Sequence, residues 1–226
     1  MKAKILKKLC SFLLVLSMLT STGIGQAVGE FVGTNLTVSA ADIFTYGNYE
    51  YTLNNACVTI TQYKGSESYI TVPDKINGFP VTAIAEWAFQ GCSTMKKIQL
   101  PTSITVVGGW AFWNCFNLTD VIMSDRIISI PDCTFYDCTN LQNINIPAYC
   151  RSIGFSAFYG CASLKNITIP DYVENIDDAV FLGCTGLMSI NVSENNKSYV
   201  SENGILLNRA QTDIICYPAA KSGSYS

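Results

Sequence analysis

Between Tyr69 and Val192 the apolar positions follow neither the helical period of 3.6 nor a long alternation; they come in short bursts at one fixed interval. Phe89, Phe112, Phe135, Phe158 and Phe181 stand 23 residues apart, and Cys92, Cys115, Cys138, Cys161 and Cys184 follow three places behind them. Met95, Leu118, Leu141, Leu164 and Leu187 form a third column, and Ile84, Val107, Ile130, Ile153 and Ile176 a fourth. Self-similarity at 20–50 residues marks a repeat array, and a period of 23 falls in the leucine-rich range.

One unit runs Leu141-x-x-Ile144-x-Ile146-Pro147, then Cys150-x-x-Ile153, then Ala157-Phe158-x-x-Cys161. The Ile-x-Ile alternation predicts a short strand with both isoleucines inward, closed by a proline that cannot continue a ladder. The apolar pair three apart predicts a second short extended or turn segment. The small residue, Phe and Cys predict a short helical corner that returns the chain to the next strand. A single unit cannot bury its apolar face, so units must stack, like residue over like. The expected fold is a right-handed parallel-strand solenoid of about five coils, mostly β, with its strand sheet on the concave side.

The ends depart from the period. Residues 41–68 alternate polar and apolar around Gly47 and Gly65, predicting a strand-rich cap ahead of an array at 69–192. In the segment 193–226, Ile205 to Asn208 and Asp213 to Tyr217 predict a β-hairpin. Such caps shield the first and last coils of an array. At the other extreme, Lys2, Lys4, Lys7 and Lys8 precede the apolar run Leu9 to Leu19, and small residues follow up to Val38-Ser39-Ala40. That is the layout of a secretory signal over residues 1–40, with an apolar run too short for the roughly 20 residues of a membrane span.

The units Ile-x-Ile-Pro, Ala-Phe-x-x-Cys and x-x-Leu resemble the BspA-like leucine-rich repeats of bacterial surface proteins, from about Phe44 to Tyr217. Gly65, Val72-Pro73, Gly78, Pro80-Val81-Thr82 and Ala88-Phe89 look like that family's entry, and Asn203-Gly204-Ile205-Leu206 with Tyr217-Pro218 like its hairpin insert. The resemblance implies a secreted or surface-attached interaction module, with adhesion to host or neighbouring-cell proteins or glycoproteins as its theme. Members usually resume with another strand after the hairpin, whereas this chain ends at Ser226 without a sorting signal, so a fragment or a released protein is expected.

Composition narrows the chemistry. Hydrophobic residues make up 49% and charged residues 14% of 226, which excludes an intrinsically disordered chain. With 14 basic and 17 acidic residues, and no basic block past the first eight, a nucleic-acid partner is not expected. Removing residues 1–40 takes four lysines and Glu30, leaving 10 basic and 16 acidic residues, net −6. That balance argues against salt-driven capture of acidic polymers and for short-range contact. There is no histidine, so imidazole-dependent triads and His-ligated zinc are excluded. No enzymatic activity and no cofactor are expected, and the mature chain is read as a monomer.

Four groups of residues remain as candidates. The cysteine column reads as buried free thiols, because neighbours at about 5 Å meet disulfide distance limits but in-register parallel side chains rarely reach the torsion. Scattered disulfides are the other reading, and no Cys-x-x-Cys supports a metal. Asp132, Asp137, Asp177 and Asp178 read as turn caps rather than paired catalytic acids. The outward strand residues Lys96, Lys97, Gln99, Thr119, Asp120, Ile122, Gln142, Asn143, Asn145, Lys165, Asn166 and Thr168 form the first-choice recognition surface, or else a merely solvated face. Trp113, Tyr136 and Tyr159, each next to a column phenylalanine, form a second-choice aromatic ridge, exposed or packed against the adjacent coil. The function these observations favour is an adhesin-like, non-catalytic module; the alternative is a targeting arm of a larger secreted enzyme or cell-wall protein.

Overall fold

A computed structural model describes residues 42–222; the secretory-signal reading of residues 1–40 lies outside the described residues. Three antiparallel strands come first: β1 (Phe44–Tyr46), β2 (Tyr49–Asn54) and β3 (Cys57–Tyr63). Strand β4 (Tyr69–Thr71) begins the repeats, and the residues that lengthen its return form the pair β5 (Lys75–Ile76) and β6 (Phe79–Ile84). Each following coil contributes two strands: β7 (Lys97–Gln99) with β8 (Val106–Val107), β9 (Asp120–Ile122) with β10 (Ser129–Ile130), β11 (Asn143–Ile144) with β12 (Ser152–Ile153), and β13 (Asn166–Ile169) with β14 (Asn175–Ile176). Strand β15 (Ser189–Val192) ends the series, and β16 (Tyr199–Glu202), β17 (Ile205–Asn208) and β18 (Ile214–Cys216) form an antiparallel meander.

The Ile-x-Ile strands make six turns of a β-solenoid, one more than the five complete phenylalanine units. Parallel pairing in register joins β4, β7, β9 and β11, and separately β13 and β15. A second ladder runs through β10, β12 and β14. It stops short of β8 for a visible reason. Gly108, Gly154 and Asp177 each donate their N–H to the preceding coil, but Pro131 stands in that column and has none.

The core is the stack of columns. Phe89, Phe112, Phe135 and Phe158 are fully buried, and successive ring centroids from Phe89 to Phe181 lie 5.3, 5.2, 5.5 and 5.8 Å apart. Tyr63, from β3, stacks on Phe89 at 5.3 Å and extends the column by one ring.

The corners are hydrogen-bonded turns, not the helical corners expected from sequence. Two residues per corner take positive φ. One column is Trp87, Trp110, Cys133, Ser156 and Ala179, and the other is Gly91, Asn114, Asp137, Gly160 and Gly183. Only three residues separate the two left-handed positions, too few for a helical turn. What the corners make instead is hydrogen bonds between coils: Phe112 N–H to Thr134 O (2.9 Å) and Asn114 N–H to Tyr136 O (2.8 Å), repeated at Phe135 with Ala157 (2.8 Å) and Asp137 with Tyr159 (2.8 Å).

At the far end the meander is tied to the last coils. Fully buried Asn196 donates to Pro170 O (2.7 Å) and Val173 O (3.1 Å), while its oxygen accepts from Ser198 N and Tyr199 N (both 2.8 Å). Ile190 N donates to Gly204 O (2.9 Å), so β15 is not left as a bare edge.

Candidate functional site

Cysteine occupies its column for more than size. Cys115, Cys138, Cys161 and Cys184 each donate a thiol hydrogen to the phenylalanine carbonyl of the preceding coil, at 3.0, 3.1, 3.3 and 3.1 Å. That carbonyl also accepts the N–H three residues on, as from Cys115 N to Phe112 O (3.3 Å), so both lone pairs are used. All nine cysteines from Cys57 to Cys216 are free, and Cys92, at the first coil, is only half-buried. Burial pushes the Cys138 and Cys161 thiols up, and the Cys184 thiol to about 12.

The outward strand residues lie on one face. Lys96, Gln99, Gln142, Asn143, Asn145, Lys165, Asn166 and Thr168 are exposed, Ile122 is 40% exposed, and Lys97, Thr119 and Asp120 are half-buried. Adjacent coils put Lys97, Asp120 and Asn143 side by side in register. Asp120 is held from two sides: Thr119 donates to one oxygen (2.7 Å) and Asn143 to the other (2.8 Å). Thr119, then Asn143, and more weakly the Lys97 charge, hold this carboxyl below the usual range. The face therefore carries three ammonium groups and one carboxylate, each of whose oxygens already accepts a hydrogen bond.

Within that face the sheet is interrupted. At each earlier coil two N–H groups converge on one carbonyl: Lys96 and Lys97 on Ser68 O, Thr119 and Asp120 on Lys96 O, Gln142 and Asn143 on Thr119 O. Met188 and Ser189 repeat this on Lys165 O. Among the described residues the equivalent bonds from Lys165 and Asn166 to Gln142 O are missing, and β11 does not pair with β13. Asn145 marks the change, since its side-chain oxygen accepts from Met123 N (3.3 Å) where the main-chain oxygen of Ile122 accepts from Leu100 N one coil earlier. Ile144, whose counterparts Ile98, Val121, Ile167 and Ile190 are buried, is half-exposed there. The opening is a cleft of about 440 Å³ lined by Gln142, Asn143, Ser163, Lys165 and Asn166.

The aromatic ridge is differently composed from the sequence reading. Trp113, Tyr136 and Tyr159 are half-buried and do not form one stack. Tyr136 stacks on Tyr159 at 4.5 Å, but its other neighbour is Trp110 (6.1 Å), and Trp113 meets Trp87 edge-on at 5.9 Å. Trp87 and Trp110, themselves stacked at 4.9 Å, belong to the ridge and were not singled out from sequence, although they are also 23 residues apart. Those two tryptophans both sit at left-handed backbone positions.

A larger concavity of about 640 Å³ lies beside β10, β12 and β14, lined among others by Glu86, Trp110, Asp132, Asp177 and Asp178. Asp132 accepts from Phe155 N one coil further on, and Asp177 from Asp178 N, both at 2.8 Å. No group of three or more His, Cys, Asp or Glu side chains among the described residues is arranged to hold a metal ion. No helix among them is long and apolar enough to cross a membrane.

Comparison with known proteins places this geometry. The family described as BspA type leucine rich repeat region matches residues 62–188 in six copies. No curated protein matches the chain. Among solved structures, a leucine-rich repeat protein of T. pallidum is 30% identical over 63% of this chain and 68% of its own, with a TM-score of 0.62. One from Bacteroides ovatus is 30% identical over 65% of this chain and 40% of its own (TM-score 0.61). One from Eubacterium ventriosum is 26% identical over 79% and 50% (TM-score 0.62). The chain thus spans about half or less of the length of two of these three neighbours.

Proposed function

The chain belongs to the BspA-type leucine-rich repeat family, and from that premise we propose that it is a secreted or cell-surface, non-catalytic interaction module, adhesin-like, that holds an extracellular protein or glycoprotein on its strand face. The observation carrying this reading is the in-register alignment of polar side chains, Lys97 beside Asp120 beside Asn143, on the outward face of the strands and outside the apolar core. A solenoid repeats one surface element along its axis, so a modest contact per coil sums into an extended interface. The lysine-rich, leader-like first forty residues support export, and the absence of histidine supports a binding role over imidazole chemistry. A second reading, a targeting arm within a larger secreted protein, is supported by the partial coverage of the neighbours.

The test compares two triple alanine variants, Lys97/Asp120/Asn143 and Trp113/Tyr136/Tyr159, for capture on extracellular matrix and plasma glycoproteins at physiological salt. Loss in the first with unchanged circular dichroism is the expected result. Loss confined to the second moves the site to the aromatic ridge, and full binding by both rejects the two surfaces together.

A further inference from the structure

Deepening the strand-face reading, on which it rests, we propose that the interruption between β11 and β13 is a subsite for a carboxylate-bearing sugar unit of an acidic glycan. The chemistry of the cleft is one-sided. Gln142, Asn166 and Ser163 offer amide and hydroxyl donors, Lys165 offers an ammonium group, and no carboxylate lines the opening. The main-chain N–H groups of Lys165 and Asn166, which at every other coil converge on a neighbouring carbonyl, lack that acceptor here. Strand groups left unpaired at a partly open site take their partners from water or from a ligand.

Lys165 is available for this. Among the described residues, ion pairs join Lys64 to Glu50 and Arg151 to Glu174, and Lys165 is in neither. Its ammonium group lies over Gly186, where a side chain would meet it at 3.1 Å, so the small residue leaves room for the lysine at the rim. Asp120, which pairs in register with Asn143 of the lining, already accepts hydrogen bonds at both oxygens, from Thr119 and Asn143. Four acids, Glu86, Asp132, Asp177 and Asp178, line the other concavity beside β10, β12 and β14, and none of them lines this cleft. A cleft of about 440 Å³ is in the range of small-molecule sites, about 300–1,000 Å³. All five lining side chains are polar, which suits a hydroxyl-rich sugar; a peptide would need apolar pockets for its anchoring side chains.

The test titrates the full chain by calorimetry with 3′-sialyllactose, trigalacturonate, lactose and tetraglutamate, at low and at physiological salt. Binding of at least one carboxylated sugar, with lactose and tetraglutamate inert, is expected. Lys165→Gln should weaken that binding about tenfold, the loss of one charge-assisted hydrogen bond, and exposed Lys75→Gln should not. Lactose binding as well as its sialylated form, tetraglutamate binding as well as either sugar, no binding by either carboxylated sugar, or an unaffected Lys165→Gln variant each overturns the proposal. Glycoprotein capture is scored separately after enzymatic removal of the glycans: capture that survives, and is still lost in the Lys97/Asp120/Asn143 variant, keeps the strand-face reading while rejecting the acidic-sugar subsite.

Discussion

Phe135 sits at the middle of a stack with a ring above and a ring below it, at 5.2 and 5.5 Å, and none of its surface reaches solvent. Replacing it with alanine removes burial and leaves a cavity that the two neighbouring rings cannot fill, since their own coils hold them. The expected cost is about 3–5 kcal/mol. Phe181 has one ring neighbour in the column and is 7% exposed, so the same substitution there should cost less. Chemical denaturation of both variants checks the order. Equal losses would mean that the column does not act as a stack. The phenylalanine spacing was legible because burial imposes one residue type at every turn. Tyr63 was not legible: it reaches the stack from β3, 26 residues before Phe89, and no column points to it. The glycine, asparagine and aspartate at 91, 114, 137, 160 and 183 are residues that tolerate positive φ, a signal of a turn that the helical spacing of Ala-Phe-x-x-Cys overrode in the sequence reading. Tryptophan at 87 and 110 is not such a residue, so nothing in the sequence marked the left-handed turn it occupies.

Among the elements, the strands were predicted within a residue or two where the Ile-x-Ile pattern is intact, and the C-terminal hairpin likewise. The gap between β11 and β13 was invisible, because the sequence at Leu141 to Pro147 obeys the repeat as well as Leu164 to Pro170 does. Only main-chain pairing distinguishes them. Hydrogen exchange tests it directly. The amides of Lys165 and Asn166 should exchange faster than those of Gln142 and Asn143, which donate to Thr119 O, and than those of Met188 and Ser189, which donate to Lys165 O. Equal protection at the three sites would close the gap. The helical corners expected from sequence fail at this scale too: Ala-Phe-x-x-Cys has helical spacing, yet a left-handed residue just before it and another at its second x leave room for a turn alone.

For the molecule as a whole, nine free cysteines are compatible with an oxidising surrounding because six of them are buried. Exchange needs a thiolate, and burial pushes Cys138, Cys161 and Cys184 up, the last to about 12. A raised thiol keeps its proton until the pH nears its folded value, so at pH 8 the native ladder should resist a disulfide reagent. Denaturation without reductant should then release thiols that the native protein withheld. Recovery of one thiol per mature chain after denaturation, four pairs having formed, would contradict the ladder. The charge pattern belongs to this scale as well. Net charge summed over the sequence suggested a surface indifferent to acidic ligands; the fold places Lys96, Lys97 and Lys165 together on the strand face, where net charge does not describe the local chemistry.

The interruption of the strand face has a mechanical side. Where β11 and β13 part, the phenylalanine rings still stack and β12 still pairs with β14, so the coils are fastened along one wall and unfastened along the other. A tether loaded at its two ends bends first where one wall lacks cross-links. Under flow or traction, the six turns should flex at this seam before any coil unravels, opening the lysine-rimmed cleft further as tension rises.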